Sequence, residues 1–143
     1  MQNFVYVQAV SSELNNSTMQ WAPVNFDAQT SVGSNFLFDA AQHSLMAKKT
    51  GIYFIYIDLN LTCTYKCNGG LLSVSVGDKL TCKVELPEKA DSTPVTRKCW
   101  TVSELKGNVT EQRLLSQMTV PEKPLKYWRL EQSGSGFGMF LVA

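Results

Sequence analysis

The residues of this chain whose types and spacing could do chemistry are four cysteines, one histidine and four overlapping or isolated Asn-x-Ser/Thr sequons. Cys63, Cys67, Cys82 and Cys99 all fall in the middle third, where they could serve as disulfides, buried thiols or metal ligands. The spacing Cys63-x3-Cys67 is not the two-residue knuckle common at zinc sites. With His43 as the only histidine, a mixed Cys/His site has little to draw on. The sequons are Asn15-Asn16-Ser17, Asn16-Ser17-Thr18, Asn60-Leu61-Thr62 and Asn108-Val109-Thr110, which makes Asn15, Asn16, Asn60 and Asn108 candidate glycosylation sites. The first two overlap and offer one usable site. An even number of cysteines together with sequons favours an oxidising, extracellular setting.

No constellation points to catalysis. His43 lies in a polar turn with Asp39 four residues back, and nothing in the spacing supports a Ser-His-Asp arrangement, so a solvated histidine is expected. Ser133-Gly134-Ser135-Gly136 precedes a strand and not a helix N-terminus, so it lacks anion-binding geometry and reads as a flexible loop tip. The acidic residues are scattered and show no calcium-loop spacing. No enzyme activity, cofactor or metal is expected.

The 143 residues suit one globular domain, residues 1–143, and 44% hydrophobic residues supply a sizeable core. Thirteen basic residues against 12 acidic ones, with neither sign clustered, argue against a nucleic-acid or membrane-surface protein. No signal peptide is visible, nor an apolar run of about 18 residues that could span a bilayer. The chain reads as an ectodomain whose signal or anchor segment lies upstream.

The elements that must position these residues are strands. Phe4 to Val10 is rich in aromatic and β-branched residues; Met19-Gln20-Trp21 is short and ends at Pro23; Phe36-Leu37-Phe38 and Ser44 to Ala47 read as a pair. Gly51 opens the strongest segment, Ile52 to Leu61, whose first six residues are apolar on both faces and predict a central strand covered from both sides. Leu71 to Val76, the two-residue turn Gly77-Asp78 and Lys79 to Leu86 predict a hairpin. On its return arm Leu80, Cys82, Val84 and Leu86 share the inward face. A loop from Pro87 to Arg97 leads to Cys99–Val102, Leu114–Val120 and the terminal Phe137–Val142. About ten short strands and almost no helix predict an all-β, two-sheet jelly-roll β-sandwich. An apolar last strand is sensible only inside a sheet, since termini otherwise fray.

Period two divides the central strand into Tyr53, Ile55, Ile57, Leu59 and Leu61 on one face and Phe54, Tyr56, Asp58 and Asn60 on the other. The last strand puts Gly138, Phe140 and Val142 on one side. If the two strands are neighbours, Phe54, Tyr56 and Phe140 form an external aromatic patch that a monomer should not leave in water. A loop of the same chain, a trimer partner or an isologous dimer partner would cover it.

Met19-Gln20-Trp21, Leu45-Met46 and Gly51-Ile52-Tyr53-Phe54-Ile55-Tyr56, followed in order by Arg113-Leu114-Leu115, Gln132-Ser133-Gly134 and Phe137 to Leu141, resemble the tumour necrosis factor superfamily across nearly the whole chain. The resemblance implies a jelly roll assembled as a homotrimer, with Phe54, Tyr56, Gly138 and Phe140 at the trimer interface. It implies a cysteine-rich receptor of the TNF-receptor family docked in the inter-protomer grooves, a type II anchor upstream, and a cell-surface or shed cytokine of immune signalling. Two departures stand out. The turn Gly77-Asp78 lacks the exposed hydrophobic residue that several members present to receptors, and Asn108 to Gln112 does not match the family's glycine-rich strand.

Cys63 ends the central strand and Cys99 opens a later strand expected to pair antiparallel with it, so a bridge from Cys99 to Cys63 or Cys67 is expected. The resemblance supports a disulfide between these two loops. Cys67–Cys99 with Cys63–Cys82 is the favoured connectivity, and one disulfide with two buried thiols remains open. Lys126-Tyr127-Trp128-Arg129 has the composition of a binding hot spot, so Tyr127, Trp128 and Arg129 are expected to contact the receptor. The loop from Glu13 to Asp27, with Asn25 and Asp27, and the Cys63–Cys67 loop are the further candidates. Rival readings are a complement-type globular head, a jelly-roll carbohydrate-binding module and a monomeric receptor ectodomain.

Overall fold

Strands account for most of the structure, a computed structural model that describes residues 2–143. In chain order they are β1 (Phe4–Ala9), β2 (Ser17–Thr18), β3 (Trp21–Pro23), β4 (Asn25–Phe26), β5 (Gln29–Thr30), β6 (Phe36–Asp39) and β7 (Ser44–Ala47). Then come β8 (Gly51–Cys63), β9 (Gly70–Val76), β10 (Leu80–Leu86), β11 (Val95–Leu105), β12 (Ser116–Thr119), β13 (Trp128–Leu130) and β14 (Gly136–Leu141). Fourteen replace the expected ten because several are pieces of two or three residues. Thr110–Gln112 is a single 3-10 turn, which is why the stretch from Asn108 does not read as a strand.

Two main sheets face each other as a jelly-roll sandwich. The first runs β11-β8-β14-β1-β3, with β13 pairing the end of β8; the second runs β10-β9-β12-β2. Hairpins β4-β5 and β6-β7 stand beside them. β14 lies between β8 and β1, so the last strand is central, as its apolar sequence requires. Inward alternation fills the core: Tyr53, Ile55, Ile57, Leu59 and Leu61 of β8 meet Leu72, Val74 and Val76 of β9 and Cys82, Val84 and Leu86 of β10, all almost fully buried. Trp21 packs edge-on against Phe137, with ring centroids 4.9 Å apart, which seats β3 on the core.

Several expectations change in detail. The β9-β10 connection is a three-residue turn, Gly77 to Lys79, because Val76 pairs with Leu80; Gly77 has φ 54°, a left-handed conformation that suits glycine. β11 begins at Val95, so the end of the expected loop is already strand. Ser133 to Gly136 is not a free tip. Ser135 is fully buried, its Oγ accepts from the Asn60 N–H at 3.0 Å, and its carbonyl accepts from the Ala9 N–H. His43 is half-buried with its Nδ1 3.2 Å from both the backbone nitrogen and the carbonyl of Trp21, so it fastens a turn where a solvated side chain was expected.

The disulfides are Cys63–Cys67 and Cys82–Cys99, with Cα separations of 6.0 and 5.7 Å; this corrects the expected Cys67–Cys99 and Cys63–Cys82. β11 does pair antiparallel with β8, but Cys99 stands opposite Ile57. Six residues of strand separate that position from Cys63, roughly 20 Å at about 3.3 Å per residue. Cys99 points inward and meets the inward Cys82, so an inter-sheet link exists with a different partner. Cys63 and Cys67 then close the short loop between them.

Candidate interaction surfaces

The outer face of the β8 sheet is built in rungs. Antiparallel register sets Val102, Phe54, Phe140 and Phe4 side by side, then Trp100, Tyr56, Gly138 and Tyr6, then Lys98, Asp58, Gly136 and Gln8. Phe54 is the centre of the first two rungs. Its ring stacks on Phe140 at 5.0 Å and on Trp100 at 5.3 Å, and lies 6.0 Å from Tyr56. The four residues expected on this face, Phe54, Tyr56, Gly138 and Phe140, are therefore brought together. Gly138 is buried beneath Tyr56, and Phe54 and Tyr56 are half-buried. Among the described residues, however, no loop lies over the face: Trp100 remains 62% exposed, Val102 51% and Phe140 40%. Within one chain the outer side of the central strand is thus half-buried from Phe54 to Thr62, while its inner side is fully buried.

Trp100 was not assigned to this face from sequence. The signal was present, because an inward Cys99 forces its neighbour outward. Glycine serves the same face. A Cβ on Gly138 would stand 2.3 Å from the Val5 carbonyl oxygen and 2.8 Å from the Tyr56 hydroxyl; one on Gly136 would stand 2.2 Å from the Tyr6 hydroxyl. The two tyrosine rings lie down over these glycines, flattening the face. Burial, then the Asp58 carboxylate, then Tyr6 push the Tyr56 hydroxyl up to about 12, and burial with Asp58 raises Tyr6 as well.

A second surface forms at the pole where β8 ends. Tyr127 has φ 69°, a left-handed conformation that costs a bulky residue roughly 1–3 kcal/mol. Both the backbone N–H and the hydroxyl of Thr64 donate to the Tyr127 carbonyl at 2.8 Å, which offsets the strain. The Tyr127 ring meets Tyr65 edge-on at 5.2 Å. Lys126 sits 5.1 Å over Tyr127 and Lys66 5.9 Å over Tyr65. Arg129 is exposed beside them, and none of the ion pairs of the described residues involves Lys66, Lys126 or Arg129. An open groove of about 550 Å³ runs alongside, walled by Leu14, Val120, Pro121, Pro124, Leu125 and Tyr127.

Trp128 is fully buried, which removes it from the expected contact set. Strand alternation in β13 turns Trp128 and Leu130 inward and Arg129 outward, and the indole Nε1 donates to the Asn68 carbonyl at 2.8 Å. The tryptophan anchors the loop and the neighbouring tyrosine and arginine are displayed by it. Cys63–Cys67 braces the facing loop that carries Tyr65 and Lys66, two residues the sequence did not single out by name.

Asn25 and Asp27 stand apart from this pole, exposed on the β4-β5 hairpin, whose tip carries Phe26 at 54% exposure. The hairpin is rooted through Ser31, whose Oγ accepts from the Val24 N–H and whose backbone N–H donates to the Val24 carbonyl. Among the described residues no group of three or more His, Cys, Asp and Glu side chains could hold a metal ion, and no helix is long and apolar enough to cross a membrane.

No family model matches the sequence, and no curated protein matches it. Solved structures match over the whole fold. Eiger TNF from S. frugiperda is 14% identical, covering 99% of this chain and 94% of that one with a TM-score of 0.53. Murine APRIL is 15% identical, covering 99% of this chain and 100% of that one with a TM-score of 0.57. Both are ligands of the tumour necrosis factor family. The fold that the sequence resemblance implied is therefore present from end to end: the chain is a TNF-like jelly roll.

Proposed function

We propose that this chain is the receptor-binding domain, residues 1–143, of a divergent extracellular ligand of the tumour necrosis factor superfamily. It acts as a homotrimer and not as an enzyme. The observation that carries the reading is the uncovered ladder Trp100–Phe54–Phe140 on a sheet that is otherwise well formed. Burying roughly 100 Å² of apolar surface on each ring would contribute several kcal/mol per protomer at ~25 cal/mol/Å². The tyrosines folded over Gly136 and Gly138 make the face flat enough for close approach of another copy. Two disulfides fit an oxidising compartment.

The second surface supplies the receptor contact. Tyr127, Arg129, Lys126, Tyr65 and Lys66 form an aromatic and cationic patch of the composition enriched at binding hot spots. Three cations without carboxylate partners favour an acidic segment on a cysteine-rich receptor. Asn25, Asp27 and Phe26 on their hairpin form a separate, smaller contact. The membrane enters only through an upstream anchor.

A carbohydrate-binding module would also expose a row of aromatics. Here Trp100 and Phe140 each stack on Phe54 with interplanar angles of 20° and 22°, so the central ring offers no free face to a sugar and the row is less suited to one. Light scattering on the purified chain tests the central claim. A solution mass threefold the 15.9 kDa of one chain is expected. A monomer or dimer would sink the trimer reading.

A further inference from the structure

We propose that Asn15 carries an N-linked glycan whose first sugar beds in the polar hollow beside it, while the sequons at Asn16 and Asn60 stay bare. The inference rests on the extracellular reading above, since the donor is the polyprenyl-pyrophosphate-linked oligosaccharide of the secretory pathway. In the transfer the Asn15 Nδ2 loses one hydrogen and bonds to C1 of the sugar. The bond from C1 to the carrier breaks, and the pyrophosphate leaves with the electron pair and the proton.

Asn15 is exposed at the entrance to β2, the outermost strand of its sheet. Its Oδ1 accepts from the Ser17 hydroxyl, which fixes the carboxamide, and its Nδ2 has no hydrogen-bond partner among the described residues. Next to it lies a hollow of about 350 Å³, rimmed by Ser11, Glu13, Thr18 and Gln20 and floored by Met118. Polar rim groups suit the hydroxyls and acetamido group of an N-acetylglucosamine. The apolar floor suits its C–H face.

The neighbouring sequons are placed differently. Asn16 turns its carboxamide the other way and accepts from the Val120 N–H at 2.8 Å, holding the exit of β12 and lining the groove beside Tyr127. Asn60 is inside β8. Its Oδ1 is enclosed without a partner, its N–H donates to Ser135, and its carbonyl accepts from the Glu131 N–H. The loop backbone closes over its amide: a Cβ on Gly134 would stand 2.6 Å from the Asn60 Nδ2. The Gly134 backbone thus crowds the nitrogen to which a sugar C1 would have to bond.

The chain secreted from mammalian cells is deglycosylated with an amidase in heavy-oxygen water, and each sequon is read by mass spectrometry. The labelled aspartate is expected at position 15, with positions 16 and 60 unlabelled. A fused signal peptide carries the chain into the secretory pathway. A label at 60 or 16, or none at 15, then overturns the inference and leaves the ligand reading standing, whereas a monomeric solution mass would overturn the ligand reading. For the bedded sugar, protein trimmed enzymatically to a single N-acetylglucosamine should melt with the fully glycosylated form. Complete enzymatic removal and Asn15→Gln should both lower Tm by a few degrees. Equal melting of trimmed, bare and N15Q protein overturns the bedding.

Discussion

Cys99 faces Ile57 across the ladder of β8 and β11, and Cys82 reaches it from the opposite sheet at a Cα separation of 5.7 Å. β10 and β11 are the edge strands of their sheets, so this one bond closes the sandwich along a side. Arg97 adds to the closure by donating from Nε to the Lys83 carbonyl. Peptide mapping without reduction should recover Cys82 joined to Cys99 and Cys63 joined to Cys67. Replacing both Cys82 and Cys99 by alanine should lower stability by about 3 kcal/mol, and replacing Cys63 and Cys67 by about 2 kcal/mol, because the entropy removed from the unfolded chain grows with the logarithm of the loop closed. Denaturant melts measure both. A larger loss for the short loop would contradict the arrangement.

Phe140→Ser and Trp100→Ser remove exposed apolar surface without opening the core. Each should lower the solution mass toward 15.9 kDa while circular dichroism stays that of a folded β-sandwich. Unchanged mass in the double variant would place self-association elsewhere on the molecule.

Trp128 and its neighbours should separate cleanly. Trp128→Ala should cost ~3–5 kcal/mol, because a large buried ring is lost and the Asn68 carbonyl loses its donor. Arg129→Ala should leave Tm nearly unchanged, and Tyr127→Ala should lower it modestly, since its ring packs partly against the core. Both should weaken capture by a panel of cysteine-rich receptor ectodomains at least tenfold. Equal capture by both variants would rule this pole out as the contact.

Alkaline pH should destabilise the fold through Tyr56. Its folded pKa of about 12 lies above the ordinary 10.0, so the folded state keeps its proton where the unfolded state releases it. The stabilisation is complete below pH 10.0 and is lost progressively as pH rises to about 12. Tyr56→Phe has no proton to lose, and its Tm should fall less steeply over that window. Parallel Tm profiles for the two proteins would remove Tyr56 as the cause.

Much of the fold was legible in the sequence because it rests on alternation. Tyr53 to Leu61 inward, Phe54 and Tyr56 outward, and an interior last strand all follow from period two and from the poor fit of apolar residues to an exposed terminus. Register was not legible. Whether β11 starts at Val95 or at Cys99 depends on hydrogen bonds to Leu61 and Asn60 that polar residues such as Thr96 and Arg97 do not announce, and the cysteine pairing was misplaced as a consequence. Trp128 shows the same limit at the level of one side chain. Aromatic and cationic neighbours mark a binding loop, but whether a residue plugs the loop or displays from it is decided by the phase of the three-residue strand β13. Period two located the outer face because alternation alone decides which side of β8 and β14 a residue takes. It could not locate Tyr65 and Lys66, whose position depends on a short disulfide loop.

The placement of β14 between β1 and β8 also has a temporal side. Phe4 pairs with Phe140 and Tyr6 with Gly138, so the first strand finds its neighbour only when almost all of the intervening chain is available. Contacts of such separation carry a high loop-closure cost before they return any energy, and topologies rich in them fold on the millisecond-to-second scale. During that interval β1 and β8 present unpaired edges, and Phe54 lacks one of the two rings it stacks on, that of Phe140. β14 carries Phe137 and Met139 to the core and Phe140 to the outer face, so its docking completes both sides of β8 together. The full Trp100–Phe54–Phe140 ladder therefore exists only on a chain whose last strand is in place.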